Sequence, residues 1–336
     1  MTRLTRIVRV GDASEVAGAR RLATQSAQAL RLSEVAAAKA ALIATELATN
    51  LIKHGDGGSI LFGSNGQPEH GLAIVAIDKG RGIASISGAM RDGYSTAGSS
   101  GTGLGAIRRA ATFFDAYAVP DRGTVVLCRV EDESARKPIV ALPPRLTYAG
   151  ICVPYPGEEQ PGDAWMASVS RESATLAIAD GLGHGLAAAT ASTEAVRLFS
   201  ERSELPLDRM LQDAHGALRP TRGAAIGIAR IHATDGKVDF AGVGNIAGTI
   251  ADDDGQRRVV SLNGIVGHEM RKVQTFSYPW SASAVLILHS DGISANWSIS
   301  SYPGLLQHDP TLIAAVIYRD HCRGNDDATV VVAKAS

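Results

Sequence analysis

Residues 5–10 alternate between apolar and polar positions, and this two-residue period predicts a strand. Over residues 13–30 and 33–54 the apolar positions move to helical spacing and are rich in Ala and Leu, both strong helix formers. Asp12 and Ser33 stand where N-caps are expected. The run Gly55-Asp56-Gly57-Gly58 ends the second helix. Short apolar runs at 59–63 and 71–78 predict strands, and the Gly/Ser-rich stretch 95–101 predicts a loop. A helix is expected to start within 103–105 and run to about 113. Strands at 114–119 and 124–130, joined by a turn at 120–123, close this half. The pattern implies one mostly antiparallel sheet covered by helices on one face.

From 131 the chain becomes charged, and then Pro138, Pro143 and Pro144 interrupt any regular element. This divides the chain into a domain at 1–133, a linker at 134–145 and a second domain at 146–336. The second half predicts strands at 146–153, 164–170, 174–179, 224–231, 237–243, 257–261, 284–288 and 328–333. Helices are expected at 184–200, 207–218 and 311–322. Strands bracketing helices in this order suit two packed sheets with helices outside. The fold class is α+β in both halves.

At 336 residues the chain has the length of two domains. A net charge of -1 and 5% aromatic residues give no electrostatic or stacking basis for nucleic acid or an anionic membrane as partner. The N-terminus lacks the apolar segment of a signal peptide, and no run approaches the ~20 apolar residues of a membrane span, so a cytoplasmic protein is expected. Cys128, Cys152 and Cys322 have no metal spacing and are expected to be buried free thiols in a reducing compartment.

Two groups of polar residues carry chemistry. In the first half, Glu46, Asn50 and His54 recur every four residues and so share one helix stripe. An Asn carbonyl suits Mg²⁺, and a carboxylate one turn away can orient or deprotonate a hydroxyl. Asp78 ends an apolar strand, where a carboxylate can accept a hydrogen bond from an adenine amino group, and Gly80 and Gly82 allow close backbone approach. Gly101-Thr102-Gly103-Leu104-Gly105, ahead of a helix, offers backbone N–H groups to phosphates. No Gly-Lys-Ser/Thr follows it, so it is not a Walker loop.

The three motifs, in this order and spacing, resemble the N, G1 and G2 boxes of the GHKL ATPase superfamily. Within that superfamily they look like the small serine kinases of bacterial partner switching, the RsbT and RsbW type. The resemblance covers about residues 5–130. It implies a Bergerat-type α/β sandwich with Glu46 as general base and Asn50 binding Mg²⁺ with ATP. It also implies Asp78 on adenine, with Gly80, Gly82, Gly101, Thr102, Gly103, Leu104 and Gly105 lining the nucleotide and residues 84–100 forming a lid. Kinases of this group phosphorylate a serine or threonine on a small STAS-domain antagonist.

In the second half Asp163, Asp180, Asp291 and Asp326 lie far apart in sequence, yet each stands beside a predicted strand. A two-sheet sandwich can gather such strand ends at one rim. Clustered carboxylates repel unless cations neutralise them, and oxygen-only ligands point to Mg²⁺ or Mn²⁺. Two such ions can activate water and hold a phosphoryl group. The set, with Asp180-Gly181-Leu182-Gly183-His184-Gly185, resembles the protein phosphatase 2C (PPM) family in its SpoIIE and RsbX branch, over about 147–334. The resemblance implies metal ligation by Asp163, a bridging Asp180, the carbonyl of Gly181, Asp291 and Asp326. Asp327 would support them, and His184 is expected to help cap the following helix.

The expected function is therefore a bifunctional regulator, an ATP–Mg²⁺-dependent serine/threonine kinase joined to a Mn²⁺- or Mg²⁺-dependent serine/threonine phosphatase. Its expected partner is a STAS-domain anti-anti-sigma or stressosome-type protein. One alternative is a phosphatase regulated by a non-catalytic ATP-sensing domain. Another is an anti-sigma binding protein that holds a sigma factor.

Overall fold

The computed structural model describes residues 5–64, 71–83, 103–132 and 146–335. They fall into two compact units, one made of the described residues of 5–132 with Gln307–Arg319, the other of 146–306 with 320–335. The expected linker at 134–145, the lid at 84–100, and Gly101 and Thr102 lie outside the described residues.

The first unit opens with β1 (Arg6–Val10), α1 (Val16–Ala29) and α2 (Glu34–His54). Asp12 caps a short 3-10 turn, Ala13–Glu15, ahead of α1 through a reciprocal capping box with Glu15. Ser33 caps α2 by accepting from the Ala36 amide. The unit continues with β2 (Gly58–Ser64), β3 (Gly71–Ile77), α3 (Gly103–Ala110), β4 (Phe113–Ala118) and β5 (Thr124–Glu131). The strands pair antiparallel throughout, in the order β1-β2-β3-β5-β4.

Ala19, Ala23 and Ala27 of α1 repeat every fourth position and meet Ala40, Ile43, Leu47 and Leu51 of α2. Alanine lets the two helices approach closely over the sheet face formed by Ile60, Phe62, Leu72, Ile74 and Ala76. By length and composition α2 would pass as a membrane span, but eight of its residues are buried in this unit. The second face of the sheet is buried as well: Ala73, Val75, Ile77, Val125 and Leu127 are each no more than 7% exposed. Burial on both faces makes β3 a continuous apolar run, and its two-residue period is hidden. Gln307–Arg319 is tied into this unit by the Arg129–Asp309 ion pair and by Asp115, which accepts from His308 and from the Asp309 amide.

The second unit holds two five-stranded antiparallel sheets. One contains β7 (Asp163–Val169), β8 (Ser173–Gly181), β9 (Ala224–His232), β10 (Lys237–Val243) and β13 (Phe276–Pro279). The other contains β6 (Leu146–Val153), β11 (Ala247–Asp252), β12 (Gly255–Arg258), β14 (Val285–His289) and β15 (Ala328–Ala335). Alternation along β8 separates two cores. Leu176 and Ile178 join Trp165, Ile250, Leu286 and Val331 between the sheets. Ala177 and Ala179 turn outward to Val196, Phe199, Met210 and Leu211 of α4 (Leu186–Glu201) and α5 (Leu207–Ala217). The last helix, α6 (Pro310–His321), precedes β15 in sequence, but its residues up to Arg319 belong to the first unit.

β11 and β13 were not anticipated. β11 is a short Ala/Gly-bearing segment, AGTIAD, of weak strand propensity. β13 is a four-residue edge strand ending in Pro279 with no fully buried position, so it shows no apolar signal.

Candidate functional sites

In the first unit, α2 delivers Glu46 and Asn50, both half-buried, one turn apart on one face. Neither side chain hydrogen-bonds to another described residue. The helix ends at Gly55, and this end packs against the β3 exit: a Cβ on Gly80 would fall 2.9 Å from both Gly55 Cα and the His54 carbonyl. Glycine at both positions is what lets the Asp78–Gly82 segment lie against the end of the Glu46–Asn50 helix. His54 itself is exposed.

Asp78 is held rigidly. Its amide donates to the Thr124 carbonyl, and its Oδ1 accepts from the Gly80 amide at 2.9 Å and the Thr124 amide at 3.1 Å. These bonds fix the carboxylate and leave Oδ2 as an acceptor for a donor such as an exocyclic amine. Burial raises the Asp78 pKa above the usual carboxylate range, against the lowering effect of the two amides and of Arg319. Gly103, Leu104 and Gly105 open α3, which packs against α2 through Ile107 and Leu104.

In the second unit the four aspartates meet. Asp163 and Asp180 are directly opposite each other in the β7–β8 ladder. The Gly181 amide donates to the Gly162 carbonyl, and a Cβ on Gly181 would fall 2.1 Å from the Ala188 carbonyl oxygen, so only glycine lets α4 sit this close. Across the sandwich, a Cβ on Gly292 would fall 1.9 Å from the Asp327 carbonyl oxygen, which places the Asp291 turn against the Asp326–Asp327 turn. The two halves join at Gly162, where the Asp327 Oδ2 and the Gly183 carbonyl lie 2.7 and 3.2 Å from the same added Cβ.

Supporting groups hold the carboxylates. Ser290 donates its hydroxyl to Asp163 Oδ2 at 2.7 Å and accepts from the Thr329 amide. Asn245 donates to Asp291 Oδ2 at 2.7 Å. Asp326 Oδ1 accepts from the Asp327 amide, and Asp327 Oδ1 accepts from the Tyr155 amide. Asp327 thus anchors the loop at Tyr155. The sequence reading missed Asn245; its only signal is a polar residue at the end of β10, in the turn leading to β11.

The electrostatics call for cations. Desolvation, followed by the charges of Asp163, Asp291, Asp326 and Asp327, pushes Asp180 well above the ordinary carboxylate range. Desolvation also raises Asp163, Asp291 and Asp327, with neighbouring carboxylates adding to the effect. Asp163 Oδ1 and Asp327 Oδ2 are buried without a hydrogen bond of ordinary geometry. Among the described residues no three His, Cys, Asp or Glu side chains are grouped closely enough to hold one ion together. All-oxygen donors, orphaned buried oxygens and mutual repulsion fit a divalent hard cation.

His184 does not cap α4, whose N-cap is Gly185 without a side-chain bond. Instead His184 bonds Glu158 at 2.9 Å and stacks on Tyr155, tying down the 155–158 loop. Cys128 and Cys152 are buried, and Cys322 is half-buried; all three are free.

Residues 10–130 match the histidine kinase-like ATPase domain family, and residues 170–336 match the stage II sporulation protein E (SpoIIE) family. The serine/threonine-protein kinase RsbT of Bacillus subtilis (strain 168) is 32% identical over 120 residues, 35% of this chain and 90% of RsbT. The chain belongs to the RsbT-like ATPase family and joins that domain to a SpoIIE-family phosphatase domain. The phosphoserine phosphatase RsbX of the same organism is 22% identical over 134 residues, 40% of this chain and 67% of RsbX. A solved structure of RsbX with magnesium has a TM-score of 0.50 at 19% identity, over 57% of this chain and 96% of that one. A chain from work on the bacterial stressosome, described as a modular system adapted to control secondary messenger signaling, has a TM-score of 0.53 at 27% identity. It covers 56% of this chain and 99% of that one. In the SpoIIE-family domain the aspartates at the β7, β8 and β15 ends and after β14 form the carboxylate centre. In the RsbT-like domain, the Asp78–Gly82 segment lies against the end of α2.

Proposed function

We propose that this chain is a bifunctional partner-switching regulator that adds phosphate to, and removes it from, a serine or threonine of a STAS-domain anti-anti-sigma or stressosome-type protein. It would act in the cytoplasm, without nucleic acid or membrane as partner. The observation that supports the reading is that polar residues of both motif sets are neighbours: Glu46 and Asn50 on one face of α2 with a pinned Asp78 near its end in one half, and five neighbouring carboxylates in the other. The likeness to a serine/threonine kinase in one half and to a phosphoserine phosphatase in the other supports opposed activities.

In the ATPase domain Asp78 would orient adenine, Asn50 would supply its carbonyl oxygen to Mg²⁺ on the phosphates, and Glu46 would take the proton of the attacking hydroxyl. Gly103, Leu104 and Gly105 would present α3 amides to the phosphates, with Gly101 and Thr102 completing that loop. In the phosphatase domain Asp163, Asp180, the Gly181 carbonyl, Asp291 and Asp326 would hold two divalent ions, Mn²⁺ or Mg²⁺. When bound, such ions neutralise the carboxylates, activate water and polarise the phosphoryl group. Ser290 and Asn245 would keep Asp163 and Asp291 aimed at them.

The test combines wild-type protein, ATP, Mn²⁺ and a STAS partner, with the partner serine followed by mass spectrometry. Asp291→Ala should raise the phosphorylated fraction of partner, and Glu46→Ala should let added phospho-partner decay without replenishment. An unchanged phosphorylated fraction with Asp291→Ala would mean that the two domains do not share a substrate.

A further inference from the structure

Arg222 stands beside the carboxylate centre on a loop that is pinned everywhere except at its own side chain. Thr221 on one side is fixed by three bonds. Its amide and hydroxyl both donate to the Leu218 carbonyl, and its carbonyl bonds His268 Nε2. Gly223 on the other side donates its amide to the Thr221 hydroxyl and accepts from the Leu182 amide. That last bond couples the loop directly to the Gly181–Gly185 turn. The next residue, Ala224, pairs with Gly181 in the β8–β9 ladder.

The guanidinium itself is exposed and makes no hydrogen bond or ion pair with the described residues. It is nevertheless directed at the turn: Arg222 Nη1 lies 3.1 Å from where a Cβ on Gly183 would be. Gly183 has φ +85°, and its carbonyl lies 3.2 Å from the added Cβ of Gly162, the point that Asp327 Oδ2 approaches to 2.7 Å. The missing side chain at Gly183 leaves room for the guanidinium at the edge of the carboxylate group.

The anchoring matters because a long side chain loses rotamer freedom on binding, and a fixed backbone limits that loss. A guanidinium without an internal partner keeps its whole fork for a ligand, and its planar donor pair matches two phosphoryl oxygens. In a centre whose other side chains are nearly all anionic, a phosphate ester needs positive charge from metal ions or from such a residue. Exposed arginines elsewhere on this domain include paired ones, as Arg197 is with Glu194 and Glu201 and Arg202 with Asp213, and unpaired ones, Arg171, Arg219 and Arg257; what sets Arg222 apart is its approach to the Gly183 turn. Arg323 is the other arginine nearby. Its amide donates to the Gly292 carbonyl, on the opposite side of the carboxylate group from the Gly183 turn's own loop, so it serves as the control.

We infer that Arg222 is the phosphoryl-binding residue of the phosphatase domain, gripping the non-bridging oxygens of the substrate phosphate at the edge of the carboxylate centre. It binds rather than reacts, so its effect falls on affinity for phosphate esters and on product phosphate.

The inference rests on the phosphatase assignment, and the experiment separates the two. Full-length wild type, Arg222→Ala, Arg222→Lys and Arg323→Ala are assayed with Mn²⁺ on p-nitrophenyl phosphate and on a phosphoserine peptide. Inorganic phosphate serves as competitive inhibitor and, by calorimetry, as a direct ligand. Loss of a charge-assisted bond to phosphate predicts a fall of about 10- to 100-fold in kcat/KM for Arg222→Ala, mostly in KM. The inhibition constant for phosphate should weaken in parallel. Arg222→Lys should recover part of the loss, because it keeps the charge without the fork. The Mn²⁺ activation constant and the melting temperature should be unchanged, since the side chain has no internal partner to lose. An unchanged KM and phosphate affinity in Arg222→Ala overturn the inference while wild-type turnover still upholds the phosphatase assignment. So does a KM effect confined to Arg323→Ala. Absence of wild-type turnover removes the assignment instead, and calorimetric phosphate binding that is equal in wild type and Arg222→Ala overturns the inference without any turnover.

Discussion

Replacing Asp180 with asparagine should make the metal-free protein more stable while removing most of its response to metal. Asp180 faces Asp163 across the β7–β8 ladder, and Asp163 is 1% exposed. Desolvation, reinforced by the surrounding aspartates, raises the pKa of both in the folded protein. The unfolded chain has ordinary carboxylates, so the folded state binds more protons. Its relative stability is fully present below the ordinary carboxylate range and is lost as pH rises through the raised folded values. Metal-free protein should therefore melt at progressively lower temperature from about pH 4 toward neutrality. Divalent ions replace the missing protons: an ion present at about 100 times its Kd adds about 2.7 kcal/mol. At roughly 2–4 °C per kcal/mol for a domain of ~150–250 residues, that is a rise of roughly 5–11 °C. The assay is calorimetric melting of the full chain at pH 6 and pH 8, in chelator and in excess Mn²⁺, for wild type and Asp180→Asn. The wild-type increment should be larger at pH 8, and in Asp180→Asn most of it should vanish. An equal metal-induced rise in the variant, or a wild-type melt indifferent to Mn²⁺, would refute the assignment of Asp180 to the ion site.

Glu46→Ala should abolish phosphate transfer to a STAS partner while ATP binding, followed by a fluorescent analogue, persists; Asn50→Ala should weaken Mg²⁺–ATP binding itself. Wild-type transfer by Glu46→Ala would end the general-base assignment. Gly292→Ala, whose Cβ would fall 1.9 Å from the Asp327 carbonyl oxygen, should displace the Asp326 turn. Overpacking of this kind costs roughly 1–3 kcal/mol, and phosphatase activity should fall more than stability does, as read by paired kinetics and melting. Asp309→Ala removes the partner of Arg129, an ion pair in which both side chains are 13% exposed, together with the Asp309 bond to the Thr311 amide. Urea unfolding of the ATPase-containing unit should show a loss of roughly 3 kcal/mol; a loss below about 1 kcal/mol would mean that Gln307–Arg319 adds little to that unit.

Much of this protein was legible in its sequence because the signals were local. Helical spacing, Ser33 and Gly55 defined α2 to within a residue, and α2 by itself puts Glu46 and Asn50 on one face. The strand at 237–243 was bounded correctly because Lys237-Val238-Asp239-Phe240 alternates and Gly244 stops it. The order of the motifs was enough to set the two families side by side. What the sequence could not supply lies in contacts between residues far apart along the chain. β3 and β5 are apolar on both faces, and periodicity does not tell which strand of chain covers the second one; the fold assigns Gln307–Arg319, nearly 180 residues beyond β5, to that unit. Asn245 and Arg222 carry no motif, since one polar residue in a turn looks like any other until the fold sets it against Asp291 or Gly183. The aspartates were readable as candidates because each marks a strand end. Their convergence depended on two sheets packing face to face and on glycines at 181 and 292 that let backbones touch. Local propensity and side-chain period are properties of neighbouring residues, and the sequence determines them directly. Which strand ends share a rim, and which charge is left without a partner there, is decided only when distant segments are brought within a few Å of each other.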